Sequence, residues 1–186
     1  MGMGVFYTHT TEGEAFRGLD SDQTYAQKLQ QYYRPYHLAF EALVRDMLQT
    51  FGEVLIIDGH SYPEQPLASE QYATSARPEV DIGTYTVPHI HTRHALSDMA
   101  IRIFKQAGYS VGMDTPFKGS IVPTAFEGDT RVQTLMLEIR RDVYLCDEAY
   151  QRGEVRLDNQ KLQHFHLTLQ SFIRTLQFKK SSNEQE

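Results

Sequence analysis

With 186 residues, the chain can bury one substantial core and is short for two. Its 24 acidic side chains outweigh 18 basic ones, and the formal charge of -6 argues against a nucleic-acid surface. A single cysteine, Cys146, excludes an intrachain disulfide and a cysteine-only metal cluster. No apolar run approaches the ~20 residues that span a bilayer, and no secretory leader is visible, so no membrane partner and a cytoplasmic location are expected.

The chain opens on a Gly-rich, aromatic stretch, Met1 to Thr11, which reads as an extension or as the interior of a larger domain. From Ser21 or Asp22, either a suitable cap, Tyr25, Leu29, Tyr32, Tyr36, Phe40, Leu43, Met47 and Phe51 recur three or four apart. That spacing predicts one apolar helical face, with a kink or a junction at Pro35 and a stop at Gly52. Val54 to Ile57 reads as a short buried strand. The polar stretch from Asp58 to Arg93 holds at most one strand, Val80 to Gly83, and a loop this long more often frames a site than merely connects. Leu96, Met99, Ile103, Phe104 and Ala107 mark a second helix, with Thr92 as a possible cap and Gly108 as its stop. Tyr109 to Met113 and Arg131 to Ile139 read as further strands, the latter central. A last helix starts at Asp158 and buries Leu162, Phe165, Leu169, Phe172, Ile173 and Leu176. Helices alternating with short apolar strands favour a sheet covered by helices, in one domain over 1–178 with a disordered tail over 179–186.

The sharpest local feature is Val54-Leu-Ile-Ile-Asp-Gly-His-Ser61, a hydrophobic strand delivering Asp58, His60 and Ser61 where it ends. Ligands of open α/β sheets sit beyond such strand ends. His60 can offer an imidazole to a metal while Asp58 orients it; the alternative is a turn in which Asp58 caps amides and His60 is merely exposed. Glu138, inside Leu135-Met-Leu-Glu-Ile139, is costly to bury alone. It either pairs with Arg140 or Arg141, or faces the same cleft as His60 and acts on water or a metal. Among His89, His91 and His94, a single contribution from His91 ranks above a complete three-histidine site, because strand alternation separates His94 from the other two. Arg77, Arg140, Arg141 and Lys118 are the cations available for a substrate carboxylate, arginine being favoured for its planar fork.

Taken together, Gly2 to Tyr7, Tyr32-Tyr-Arg-Pro-Tyr-His37, Ile57 to Ser61, Arg77-Pro-Glu-Val-Asp-Ile-Gly83, His91-Thr92, Pro116 to Pro123 and Leu137 to Tyr144 resemble, in order, the N-formylglutamate amidohydrolase family. The resemblance implies a three-layer α/β fold with a mostly parallel or mixed sheet flanked by helices, zinc-carboxypeptidase-like and related to phosphorylase/hydrolase-like folds. It also implies a zinc-assisted hydrolase acting on the amide of an N-formyl or N-acyl amino acid such as N-formyl-L-glutamate, in histidine degradation. His60 looks like a metal ligand, Glu138 like the carboxylate that activates water, and Arg77 and Arg141 like residues for the substrate carboxylate or developing oxyanion. Asp58, Ser61, His91 and Lys118 are further site-loop candidates. Relatives carry, before the Gly2 region, a first strand with histidine and carboxylate ligands that has no counterpart here. The resemblance therefore leaves three expectations: a longer enzyme, a site completed by His89, His91 or His94, or a domain that binds a ligand or protein without catalysis.

Overall fold

The computed structural model describes residues 5–16, 22–67 and 77–183. Four strands form one mixed sheet in the order β1-β4-β2-β3, with β1 at Val54–Tyr62, β2 at Val80–Gly83, β3 at Val111–Met113 and β4 at Val132–Arg140. β1 runs parallel to β4 and β2 parallel to β3, while β4 and β2 are antiparallel.

Alternation along β4 separates two faces. Leu135, Leu137 and Ile139 join Val80 and Ile82 beneath two helices, α3 (His94–Gln106) and α5 (Asn159–Asn183). Phe104 of α3 and Phe172 of α5 are fully buried in that layer. On the other face, Val132 packs with Phe126 and with Val44 and Leu48 of α2 (Arg34–Phe51). α2 therefore lies on one side of the sheet and α3 with α5 on the other, the three-layer arrangement expected. A short helix, α4 (Asp147–Gln151), links β4 to α5.

Several boundaries differ from the sequence reading for local reasons. The Pro35 interruption takes the form of a π-helical turn at Leu29–Tyr33 between α1 (Asp22–Lys28) and α2, so Pro35 sits in the first turn of α2, where its missing amide costs no bond. Ser21, the alternative cap, lies outside the described residues. The eight-residue apolar face predicted for this region is not the buried one: Val44 and Leu48 are buried, whereas Tyr32, Tyr36, Leu43 and Phe51 are exposed. Thr92 does not cap α3, whose N-cap is Arg93; its hydroxyl donates to the Thr134 carbonyl at 2.7 Å and accepts the Tyr85 amide at 2.8 Å. Asp158 does cap α5, accepting the amides of Gln160 and Lys161 at 2.9 and 3.1 Å. The backbone of α5 stays helical to Asn183, past the Lys179 boundary set for the tail, and its Leu162 and Ile173 are exposed.

Candidate active site

β1 does not stop at Ile57. It continues through Asp58, Gly59, His60 and Ser61 to Tyr62, so the expected site loop is the second half of a strand. Pairing with β4 along its whole length sustains it: His60 stands opposite Glu138, and Tyr62 opposite Arg140. Across the other side of β4, Asp81 stands opposite Glu138, and Gly112 of β3 opposite Asp81. Four strands thus carry His60, Glu138, Asp81 and Gly112 in one row. Because side chains at paired positions share a sheet face, the three polar ones project together. Ser61 pairs with Ile139 and so belongs to the opposite, apolar face, which takes it away from Glu138.

Glu138 is only 8% exposed, and its Oε2 is buried without a hydrogen-bond partner among the described residues. Burial pushes its carboxyl up to about 7; His60 and Arg77 pull against that shift, and Asp81 and Asp58 add to it. The expected pairing with Arg140 is not made. Arg140 instead grips Asp142 with Nε to Oδ1 at 2.6 Å and Nη2 to Oδ2 at 2.9 Å, and donates from Nη1 to the Arg77 carbonyl. His60 Nε2 lies 2.8 Å from Asp58 Oδ1. A carboxylate only accepts, so Nε2 carries the hydrogen and Nδ1 is the nitrogen left to act as a base or ligand.

Arg77 is buried between two rings, with its Cζ 4.7 Å from the Tyr62 centroid and 5.3 Å from that of Phe117. Each wall is itself held. The Tyr62 hydroxyl donates to the Pro78 carbonyl. Asp81 accepts the amides of Thr115 and Phe117 at 3.2 and 2.9 Å, tying down the turn that carries Phe117. Burial raises the Asp81 carboxyl, and those two amides oppose the rise. A Cβ on Gly112 would meet the Thr115 carbonyl oxygen at 2.7 Å, Pro78 Cγ at 2.9 Å and Asp81 Oδ1 at 3.1 Å, so the end of the row is kept clear for this turn. Tyr62, Asp81 and Phe117 were not singled out from the sequence. The period-two signal that finds Tyr62 from His60 and Asp58 appears only once the strand is known to continue.

The remaining candidates separate. His91 is buried, its Nδ1 2.8 Å from the Val132 carbonyl and its Nε2 accepting the Gly128 amide at 3.0 Å. Carbonyls only accept and amides only donate, so the ring is a neutral tautomer with both nitrogens engaged. It clamps two loops and has no nitrogen left for a metal. His89 stacks edge-on beside it with ring centroids 6.3 Å apart, while His94 is exposed at the start of α3. These three histidines therefore do not complete a site. Lys118 is exposed directly after Phe117, and Arg141 is half-buried in the short 3-10 turn directly after Arg140.

Whether these residues fit zinc is answered by the donor set. A catalytic zinc takes three protein ligands and an open position. Among the described residues, no group of three or more His, Cys, Asp and Glu side chains is arranged to hold an ion. His60 offers one nitrogen, which by itself does not fit a complete centre.

A mixed sheet between helical layers, with a desolvated carboxylate, a histidine and a ring-clamped arginine on one face, defines an α/β domain with one polar, site-bearing face. The chain belongs to the N-formylglutamate amidohydrolase family, whose model matches residues 1–145. The fold is similar to the crystal structure of an N-formylglutamate amidohydrolase from Ralstonia eutropha JMP134, with a TM-score of 0.74 at 21% identity over 97% of this chain. It is also similar to a gene product of Agrobacterium tumefaciens, with a TM-score of 0.56 at 16% identity over 96% of this chain. The chain spans 63% and 62% of the lengths of those two proteins. No curated protein matches it. No helix among the described residues is long and apolar enough to cross a membrane.

Proposed function

We propose that this domain hydrolyses the amide of an N-formyl or N-acyl amino acid bearing a free carboxylate, with N-formyl-L-glutamate as the type substrate. The observation that carries the reading is the buried Glu138 carboxyl, poised near neutral pH in one row with His60 and beside Arg77. A base whose pKa lies close to working pH is half ionised there and can both take and return a proton. In this reading Glu138 takes a proton from the attacking water as its oxygen bonds to the formyl carbon. The C–N bond then breaks, the proton passes to the leaving amine, and formate and the free amino acid result. Arg77, fixed between Tyr62 and Phe117, presents its fork to the substrate carboxylate or to the developing oxyanion. Arg141 and Lys118, each next in the chain to a cleft residue, are proposed as auxiliary cations.

Zinc also stands as a proposal, with His60 the candidate ligand on this chain and Asp58 orienting it. Because the described donor set is incomplete, no step above is assigned to a metal. The second reading is a family member that binds such a ligand or a protein without turning it over. The two readings part on formate release from N-formyl-L-glutamate, measured together with the zinc content of the purified protein. Hydrolysis is expected, and Glu138→Gln should lower it at least ~100-fold while leaving the folded spectrum unchanged. Full turnover in that variant would remove Glu138 from the mechanism. Saturable binding of N-formyl-L-glutamate without turnover would favour the second reading.

A further inference from the structure

Of the cations that the sequence offers for a substrate carboxylate, Arg140 stands on the same sheet face as Glu138, two residues further along β4. Its fork is already taken. Nε and Nη2 hold the two oxygens of Asp142 at 2.6 and 2.9 Å, a two-point pairing that fixes the plane of the guanidinium. Nη1, on the other edge of that plane, donates to the backbone carbonyl of Arg77, 63 residues away in the chain. The Arg140 amide donates to the Glu79 carbonyl at 2.9 Å, and the Tyr62 hydroxyl to the Pro78 carbonyl between them. Three consecutive carbonyls, those of Arg77, Pro78 and Glu79, are thus pinned, two of them by Arg140. Asp142 is anchored in turn, because its own carbonyl accepts Lys161 Nζ of α5 at 3.0 Å.

We infer that Arg140, locked by Asp142, is a positioning residue that fixes the backbone from which the Arg77 side chain enters its slot between Tyr62 and Phe117, and so sets where the cleft holds the carboxylate of its substrate. The inference rests on the reading of Arg77 as the carboxylate-binding cation. The two rings restrain the Arg77 guanidinium from its faces and set no position within its plane. Pro78 keeps Arg77 extended, and the pinned carbonyl sets how far along the slot the side chain reaches. A pair between residues two apart could serve only to end β4. The third contact, on a carbonyl from a different part of the chain, goes beyond that task. It also accounts for arginine at this position: a lysine would neutralise Asp142 equally well, but it has no planar fork with which to hold two partners on opposite edges. Displacement of a binding group by about 1 Å can cost on the order of 100-fold, so the anchorage of Arg77 matters as much as its charge.

The test reads placement and binding separately. Arg140→Met combined with Asp142→Asn removes both charges together, so no unpaired charge is left behind and folding is retained. In NMR spectra of the arginine Nε–H groups, with Arg77 assigned by its loss in Arg77→Lys, the Arg77 signal should be shifted by the two rings in the native protein and return toward the other arginines in the double variant. Affinity for N-formyl-L-glutamate, measured by calorimetry and as KM, should weaken at least ~tenfold, with kcat held within about twofold. In an Arg77→Met background the same double substitution should change affinity by less than about twofold, since its effect is carried by Arg77. An Arg77 signal that does not move overturns the inference, as does a moved signal with unchanged affinity, or an equal loss of affinity in both backgrounds. Failure of the functional reading is a different result, in which the native protein neither binds nor hydrolyses N-formyl-L-glutamate; it overturns the inference too, since no carboxylate is then held.

Discussion

The two faces of this sheet are built on the same strands and do opposite things. Along β4, Leu135, Leu137 and Ile139 sink into a dry layer closed by α3 and α5, while Thr134, Glu138 and Arg140 face the side that α2 covers only in part. On the first face most large side chains from the strands meet other apolar groups, and the energy is that of packing. On the second, apolar cover by α2 is confined to the Val132 end, and beyond it the strands carry carboxylates, a histidine and a clamped arginine. Polar groups are tolerated there because most are paired: Asp58 with His60, Asp81 with two amides, Arg140 with Asp142. Glu138 is the exception, and an unpaired buried carboxylate is a cost that packing on the opposite face must offset.

The sharpest way to break the contrast is to empty the dry face. Phe104→Ala removes a fully buried ring that touches Phe165 and Phe172 and should cost about 3–5 kcal/mol in urea unfolding. A loss under about 1 kcal/mol would mean that the α3–α5 layer is not the main core. His91→Ala is expected to cost about 2–3 kcal/mol, since it leaves a carbonyl and an amide unsatisfied in two loops. Zinc content should not change, whereas a fall in bound metal with unchanged stability would make His91 a ligand after all.

The smallest expected effect is on pH dependence. The folded Glu138 carboxyl titrates at about 7, above its ordinary value of 4.5, so the folded state holds a proton that the unfolded chain has released. Stability contributed by this group is therefore complete below about 4.5 and declines as pH rises toward 7. Glu138→Gln should flatten that part of the stability profile by on the order of 2 kcal/mol and raise stability at neutral pH. An unchanged slope would mean that Glu138 is already ionised and paired in the folded protein.

Much of the frame was legible in the sequence because it rests on local periodicity. β2 falls on the predicted residues, β4 differs by one at each end, and Asp158 caps the last helix as its position implies. Glu138 and His60 could be singled out because a carboxylate in an apolar strand and a histidine after one are each anomalous. That they stand opposite one another could not be, since strand register is set by pairing between segments some eighty residues apart. The same limit explains Ser61: next to His60 in sequence, it lies on the other face because the strand continues through it. For α2, spacing showed which residues share a stripe, but not that the sheet would turn toward Val44 and Leu48 and leave the rest of the stripe outside.

Gly112 has a consequence that reaches across this geometry. It lies on an edge strand, separated from His60 by the two strands β4 and β2, and its contribution is the absence of a single methyl group. Filling that space would push first on the 115–117 turn and on Pro78, the two supports on which the Phe117 ring and the Arg77 backbone rest. The smallest residue in the row is thus a spacer that sets how wide the arginine clamp stands. A change at the sheet's far margin would be felt as a change in how the Arg77 guanidinium is held between its two rings.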